Sequence, residues 1–178
     1  MARLHTIALS EASGRAAELF ATVKSAAGKV PNSYLGIGGN SPVALEAVLG
    51  LEAALKKSSL SPMDIEIVKL VVSRATGCDY CLAAHTLLGK KLGLSREAIL
   101  AVRDARPSGD PRNDALATFT HHVITSRGIV AAEVLAAVKA AGVTDSQIVD
   151  AMLAIASITL TNLFNRVNDT VLDFPAAD

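Results

Sequence analysis

Glu66-Ile-Val-Lys-Leu-Val-Val-Ser-Arg-Ala-Thr-Gly-Cys-Asp-Tyr-Cys-Leu-Ala-Ala-His85 is the stretch on which the reading of this chain turns. Its first half continues a run that opens at Ser61-Pro62 and carries Met63, Ile65, Ile67, Val68, Leu70, Val71 and Val72. Those residues occupy nearly every side of a helix, and a helix apolar all round is a buried one. Gly77 then ends or bends it, and a second helix begins at Cys78 and runs to about Leu92. The fold must therefore wrap other elements around a central helix, and the chain next to that helix holds both of its cysteines.

The flanks supply those elements. Glu11 to Lys29 reads as a helix with Ala16, Leu19, Phe20, Val23 and Ala27 on one side. The segment Val30 to Asn40 reads as a loop of turn residues. Its Gly36-x-Gly38-Gly39 does not make a phosphate-binding fingerprint, because no strand precedes it and the spacing is incomplete. Ser41-Pro42 opens a helix to about Lys57, an N-cap followed by proline at the first helical position. Further helices follow from Ser95 to Arg103, from Asp110-Pro111 to about Arg127, and from Ala131 to Ala141. Thr144-Asp-Ser-Gln147 is a capping box for a last helix to about Thr170. Laying Ser61–Ile65 over Thr144–Ile148 gives a faint internal echo in which only the first copy carries cysteines. No alternating run makes a strand. The expectation is an all-α bundle of about seven or eight helices in one domain, 1–178, with 61–93 as its core.

Composition agrees. Of 178 residues, 51% are apolar but only 3% aromatic, with no Trp, which suits close-packed Ala- and Leu-rich helices. The formal net charge is zero, so neither a nucleic-acid surface nor an anionic membrane is an expected partner. The first ten residues lack the apolar core of a signal peptide, and no run reaches the length of a membrane span; a soluble, cytoplasmic protein is expected. In a reducing compartment a Cys-x-x-Cys is more often catalytic or metal-binding than structural.

On a helix, Cys78, Cys81 and His85 fall within about 60° of one another, so two thiols and an imidazole share one stripe. A thiolate is favoured at a helix N-terminus, which points to Cys78, and beside a proton acceptor, which points to Cys81 through His85. These arguments leave the order of attack open. A sulfenic acid at either cysteine can be resolved by the other as a disulfide. Glu66, a carboxylate on an apolar helix, needs either Lys69 or a polar partner inside, and His85 is the obvious one. Tyr80 points away from the stripe and reads as packing. His121, His122, Lys90, Lys91 and Arg127 read as ordinary surface or core residues, and His5 as part of a disordered terminus.

Glu66-x11-Cys78-x-x-Cys81-x3-His85, flanked by capped apolar helices, resembles the alkylhydroperoxidase AhpD core of the carboxymuconolactone decarboxylase-like superfamily. Val30-Pro-Asn-Ser-Tyr34 and the closing Asn162 to Pro175 extend the resemblance to the single-domain, peroxidase-related members. It implies an AhpD-like helical fold assembled as homotrimers or homohexamers, and reduction of hydroperoxides through a redox-active disulfide. It further implies Cys81 as the attacking cysteine, Cys78 as the resolving one, and His85 with Glu66 as the proton relay. The expected partners are a hydroperoxide substrate and a thiol or lipoyl-type reductant, with no cofactor and no metal. The best-studied pattern has a histidine where Tyr80 stands, and the decarboxylase branch lacks the cysteine pair. Two alternatives stand beside this reading. One is a redox sensor or disulfide reductase of the same fold; the other is a zinc protein using Cys78, Cys81, His85 and Glu66 as ligands.

Overall fold

A computed structural model describes residues 2–177. Among the described residues there are nine α-helices and no strand: α1 (Gly14–Ala27), α2 (Asn32–Asn40), α3 (Pro42–Leu55), α4 (Pro62–Ala75), α5 (Asp79–Lys91), α6 (Arg96–Arg103), α7 (Pro111–Thr125), α8 (Ala132–Ala140) and α9 (Asp145–Asn168). A short 3-10 turn, Leu9–Glu11, precedes them. The all-α expectation holds, and the cap residues explain most of the boundaries. Ser41, Ser61, Ser95, Asp110 and Thr144 each accept a backbone N–H from the first turn of the helix they start. Ser61 with Asp64 and Thr144 with Gln147 both form full capping boxes.

Helix α4 is the axis. Its residues from Glu66 to Ser73 are buried without interruption. It packs against α3, α5, α6, α7 and α9 or their flanks, and the largest apolar cluster centres on Ile67, Val68, Val71 and Val72. Leu116 and Phe119 of α7, Val138 of α8, and Ala154, Ile155 and Ile158 of α9 complete that cluster. Each large aliphatic side chain sealed there contributes about 1.5 to 3 kcal/mol relative to exposure. A second cluster, around Phe20, Ile37 and Leu45, joins α1, α2 and α3.

The segment Val30 to Asn40 is a correction. It was expected as a loop and forms α2 instead. Its glycines serve close packing: a Cβ at Gly38 would sit 2.6 Å from both Leu45 Cδ2 and Phe20 Cε1. Propensity penalises glycine in a helix, but here tertiary contact decides. The N-terminus differs too. The His5 carbonyl accepts from Asn40 Nδ2 at 2.8 Å, and the Leu4 amide donates to Asn168 Oδ1 at 2.9 Å, so this end is pinned rather than disordered.

Helix α9 is the one described helix long and apolar enough to cross a membrane by length and composition. In this fold its Ala151, Ala154, Ile155, Ile158, Asn162 and Asn165 are buried against the other helices.

Candidate active site

The break between α4 and α5 builds the site. Gly77 adopts φ +65°, a left-handed backbone in which L side chains are strained, and the turn lets the chain restart at once. Cys78 is the N-cap of α5, with φ −94° and ψ 94°, so it sits just ahead of the helix and not on it. Its sulfur takes the place a serine oxygen would fill and accepts the Cys81 backbone N–H at 3.4 Å. The two cysteines are free, buried and adjacent.

Their environments differ. The Cys78 thiol is pulled below its ordinary pKa: the Cys81 thiol and backbone N–H both donate to it, and Arg166 adds positive charge, against the opposing effect of burial. Cys81 is pushed well up, because it holds the shared hydrogen towards Cys78, is buried, and faces a negative neighbour. Of the two thiols, Cys78 is therefore the more acidic. Two groups on α9 soften this: Asn165 Nδ2 donates to Cys81 Sγ at 3.3 Å, and the Thr161 hydroxyl lies within reach of the same sulfur.

One turn beyond Cys81, His85 Nδ1 meets Glu66 Oε2 at 2.7 Å, with both side chains about nine-tenths buried. An ionised carboxylate can only accept, so in that pairing Nδ1 is the donor and Nε2 is left for another partner. The alternative partner for Glu66 is taken elsewhere. Lys69 Nζ bonds both carboxylate oxygens of Glu52 at 2.8 Å, and the Ser157 hydroxyl donates to Glu52 Oε1 at 2.6 Å. Burial raises the Glu52 pKa, but Lys69, Ser157 and the nearby His85 together hold it below the ordinary carboxylate value.

Two openings lie near these residues, one walled in part by Glu66 and the other in part by Cys78. On the α3–α5 side lies a cleft of about 380 Å³ whose walls include Leu55, Leu60, Ile65, Leu88 and Leu92, with Glu66 among them. On the α9 side lies a polar pit of about 210 Å³ bounded by Gly77, Cys78, Asp79, Tyr80, Asn165, Arg166, Asp169 and Thr170.

Tyr80 is buried near the thiols, but its polar end is engaged elsewhere. Its hydroxyl donates to Asp173 Oδ1 at 2.5 Å and accepts the Ser33 amide at 3.2 Å, while Phe174 packs edge-on against its ring. It clasps the C-terminal tail onto α2. Asn165 was missed from sequence, where it reads as one more polar interruption of an apolar helix.

The zinc alternative is not supported. Among the described residues no three His, Cys, Asp or Glu side chains gather as a metal site, since His85 and Glu66 are spent on each other and Cys78 on Cys81.

The fold and site define a class. Residues 42–109 match the sequence model of the carboxymuconolactone decarboxylase family, and that span holds Glu66, Cys78, Cys81 and His85. The whole fold is that of AhpD-like proteins. An uncharacterised peroxidase-related protein with an alkylhydroperoxidase AhpD core, from Ralstonia eutropha JMP134, superposes with a TM-score of 0.85. It is 21% identical, over 97% of this chain and 92% of that one. The debrominase Bmp8, in a Cys-to-Ala variant bound to 2,3,4-tribromopyrrole, gives 0.79 at 16% identity, covering 97% and 92%. A peroxidase-related protein from Silicibacter sp. TM1040 gives 0.76 at 18% identity, covering 96% and 94%. Comparison with curated proteins returned no match. The chain thus has an AhpD-like helical fold, its residues 42–109 are similar to the carboxymuconolactone decarboxylase family, and the solved structures that share the fold include an enzyme and peroxidase-related proteins.

Proposed function

We propose that the protein is a thiol-dependent peroxidase that reduces hydroperoxides through Cys78 and Cys81. The observation that carries this reading is the buried Glu66–His85 pair, 2.7 Å across and one helical turn from a cysteine whose proton must be removed before it can react. Glu66 orients His85, and Nε2 takes the proton from the Cys81 thiol. The Cys81 thiolate attacks the outer peroxide oxygen, the O–O bond breaks, and the departing alkoxide takes the proton from His85. This leaves an alcohol and a Cys81 sulfenic acid. Cys78, whose thiol is drawn below its ordinary pKa, gives up its proton and attacks that sulfur, expelling hydroxide, which leaves as water after protonation. One peroxide is thus reduced by two electrons as two thiols become one disulfide.

The cleft between α3 and α5 touches the relay at Glu66, and its leucine and isoleucine walls, with Glu52, Lys56, Lys69 and Lys91 beside them, suit a hydroperoxide with an aliphatic or aryl body. An external thiol must then restore the pair. The test is consumption of cumene hydroperoxide by the reduced protein with dithiothreitol as recycling thiol. Turnover that ceases when either cysteine is replaced supports the reading, and consumption at the rate of dithiothreitol alone contradicts it.

A homo-oligomer in the cytoplasm is part of the same proposal. Exposed Val149, Met152, Ala156, Leu160, Leu163 and Val167 recur every three to four residues along α9, an outward apolar stripe that a second copy would cover. A single monomeric species in sedimentation at micromolar concentration would contradict it.

A further inference from the structure

Of the residues that line the cleft between α3 and α5, the proposed chemistry uses only Glu66. The remainder sort by charge and depth. Lys69 is buried and spends its ammonium on Glu52, while Glu66 is engaged with His85, so each acid on the wall already has a partner. Lys56 and Lys91 belong to no such pair. Both are exposed, and the ammonium of neither meets a carboxylate among the described residues. Lys56 caps the end of α3 and Lys91 closes α5, so they border the cleft from two helices. Around them the wall is apolar, with Leu55, Ile65, Leu88 and Leu92, the last two 40% and 42% exposed.

Two unspent positive charges at the edge of an apolar slot suit a ligand that is apolar along its length and negative at one end. We propose that the cleft binds an aliphatic chain ended by a carboxylate, with the carboxylate at Lys56 and Lys91 and the chain along Leu55, Ile65 and Leu88 towards Glu66. Applied to catalysis, this rests on the peroxidase reading. The preferred substrate then carries its hydroperoxide at the end of such a chain far from the carboxylate.

Position along the helices fixes which end of the ligand goes where. Lys91 follows His85 by six residues on α5, about 9 Å along its axis, and Lys56 follows Glu52 by four on α3, about 6 Å. Both free ammonium groups thus stand a turn or more from the paired acids, and a lysine stem can lie along the leucines with its charge in water. A liquid water occupies about 30 Å³ and a methylene is of similar size, so about 380 Å³ takes a chain of roughly a dozen carbons. Each methylene removed from water strengthens binding about fourfold, whereas a carboxylate left at the rim keeps much of its hydration.

The test is calorimetric titration of the full chain with octanoate, dodecanoate and dodecyltrimethylammonium, each below its micelle concentration. The expected result is one dodecanoate per chain, bound at least tenfold more tightly than octanoate, and no saturable uptake of the cationic chain. The double variant Lys56→Gln/Lys91→Gln changes two exposed side chains and should weaken dodecanoate about tenfold, with an unchanged circular dichroism spectrum. Lys57→Gln, which removes an exposed lysine outside the cleft, should not weaken it. Equal affinity for the two charged chains, no gain with length, uptake without saturation, or an unaffected double variant overturns the site. No saturable binding, with a double variant that sediments as a smaller species, gives the rim to a second copy and also overturns it. No peroxide enters these titrations, so a protein that binds dodecanoate yet ignores hydroperoxides would keep the site and lose the peroxidase reading. Where cumene hydroperoxide is consumed, dodecanoate should raise KM and leave kcat unchanged. Inhibition through kcat alone would place the chain away from the relay and overturn the substrate assignment.

Discussion

Asn165 of α9 and Cys81 of α5 are 84 residues apart in sequence, yet the asparagine amide donates to the cysteine sulfur at 3.3 Å. That contact ties the last helix to the CxxC turn. It also distinguishes the surroundings of two thiols that a helical wheel places on one stripe. Cys81 accepts from a donor on α9 and stands one turn ahead of His85 on its own helix. Cys78, only 1% exposed, forms part of the wall of the pit and caps the N-terminus of α5.

The relay makes the first prediction. His85→Asn should lower the rate of hydroperoxide reduction by about a hundredfold, the usual scale for a lost general base. Glu66→Gln, which keeps a partner for Nδ1 but removes the charge, should cost about tenfold. Stopped-flow single turnovers with cumene hydroperoxide read both. Rates within twofold of wild type in both variants would remove the pair from the chemistry.

Thiol pKa values make the second. Cys78 is drawn below its ordinary value and Cys81 pushed above, so iodoacetamide should label Cys78 first. Its rate should rise with a midpoint below the ordinary thiol value of about 8.5, because only thiolate reacts. As pH falls through that midpoint, labelling should fade. Peptide mapping after partial alkylation decides it, and Cys81 labelled ahead of Cys78 would reverse the assignment.

Tyr80 makes the third. It stands where the resemblance implies a histidine, but its hydroxyl is engaged with Asp173 and Ser33. Tyr80→Phe should leave single-turnover peroxide reduction within about threefold. It should destabilise the fold by about 1 to 2 kcal/mol, because removing the hydroxyl leaves the Ser33 amide and Asp173 without that partner. A hundredfold loss of rate in a folded variant would give Tyr80 a chemical role.

Close packing makes the fourth. Gly38→Ala should destabilise by about 1 to 3 kcal/mol in urea melts, since the added methyl collides with Phe20 and Leu45 across the α1–α2–α3 junction. The better helix propensity of alanine offsets about 1 kcal/mol of that collision. A stabilised variant would show that the junction relaxes freely.

These cases also show what the sequence made legible. The all-apolar helix from Pro62, the paired capping signals at Ser61 and Thr144, and the Cys78 helix start are local patterns, and each recurs in the structure. The proximity of Glu66 and His85 followed from a polar group on a buried helix needing a partner. Helix α2 was not legible, because Gly36, Gly38 and Gly39 lower its helical propensity and only the approach of Phe20, Leu45, Phe164 and Ile7 explains them. Asn165 was not legible either. Its role depends on how α9 lies against α5, and no local pattern carries that.

Free-thiol titration before and after one equivalent of cumene hydroperoxide, in wild type and in Cys81→Ala, tests the central claim most directly. The account predicts rapid loss of both thiols in the wild type, with water and cumyl alcohol as products, and survival of the single Cys78 thiol in the variant over the same interval. Wild-type thiols that persist, or a variant that consumes peroxide at the wild-type rate, would contradict it.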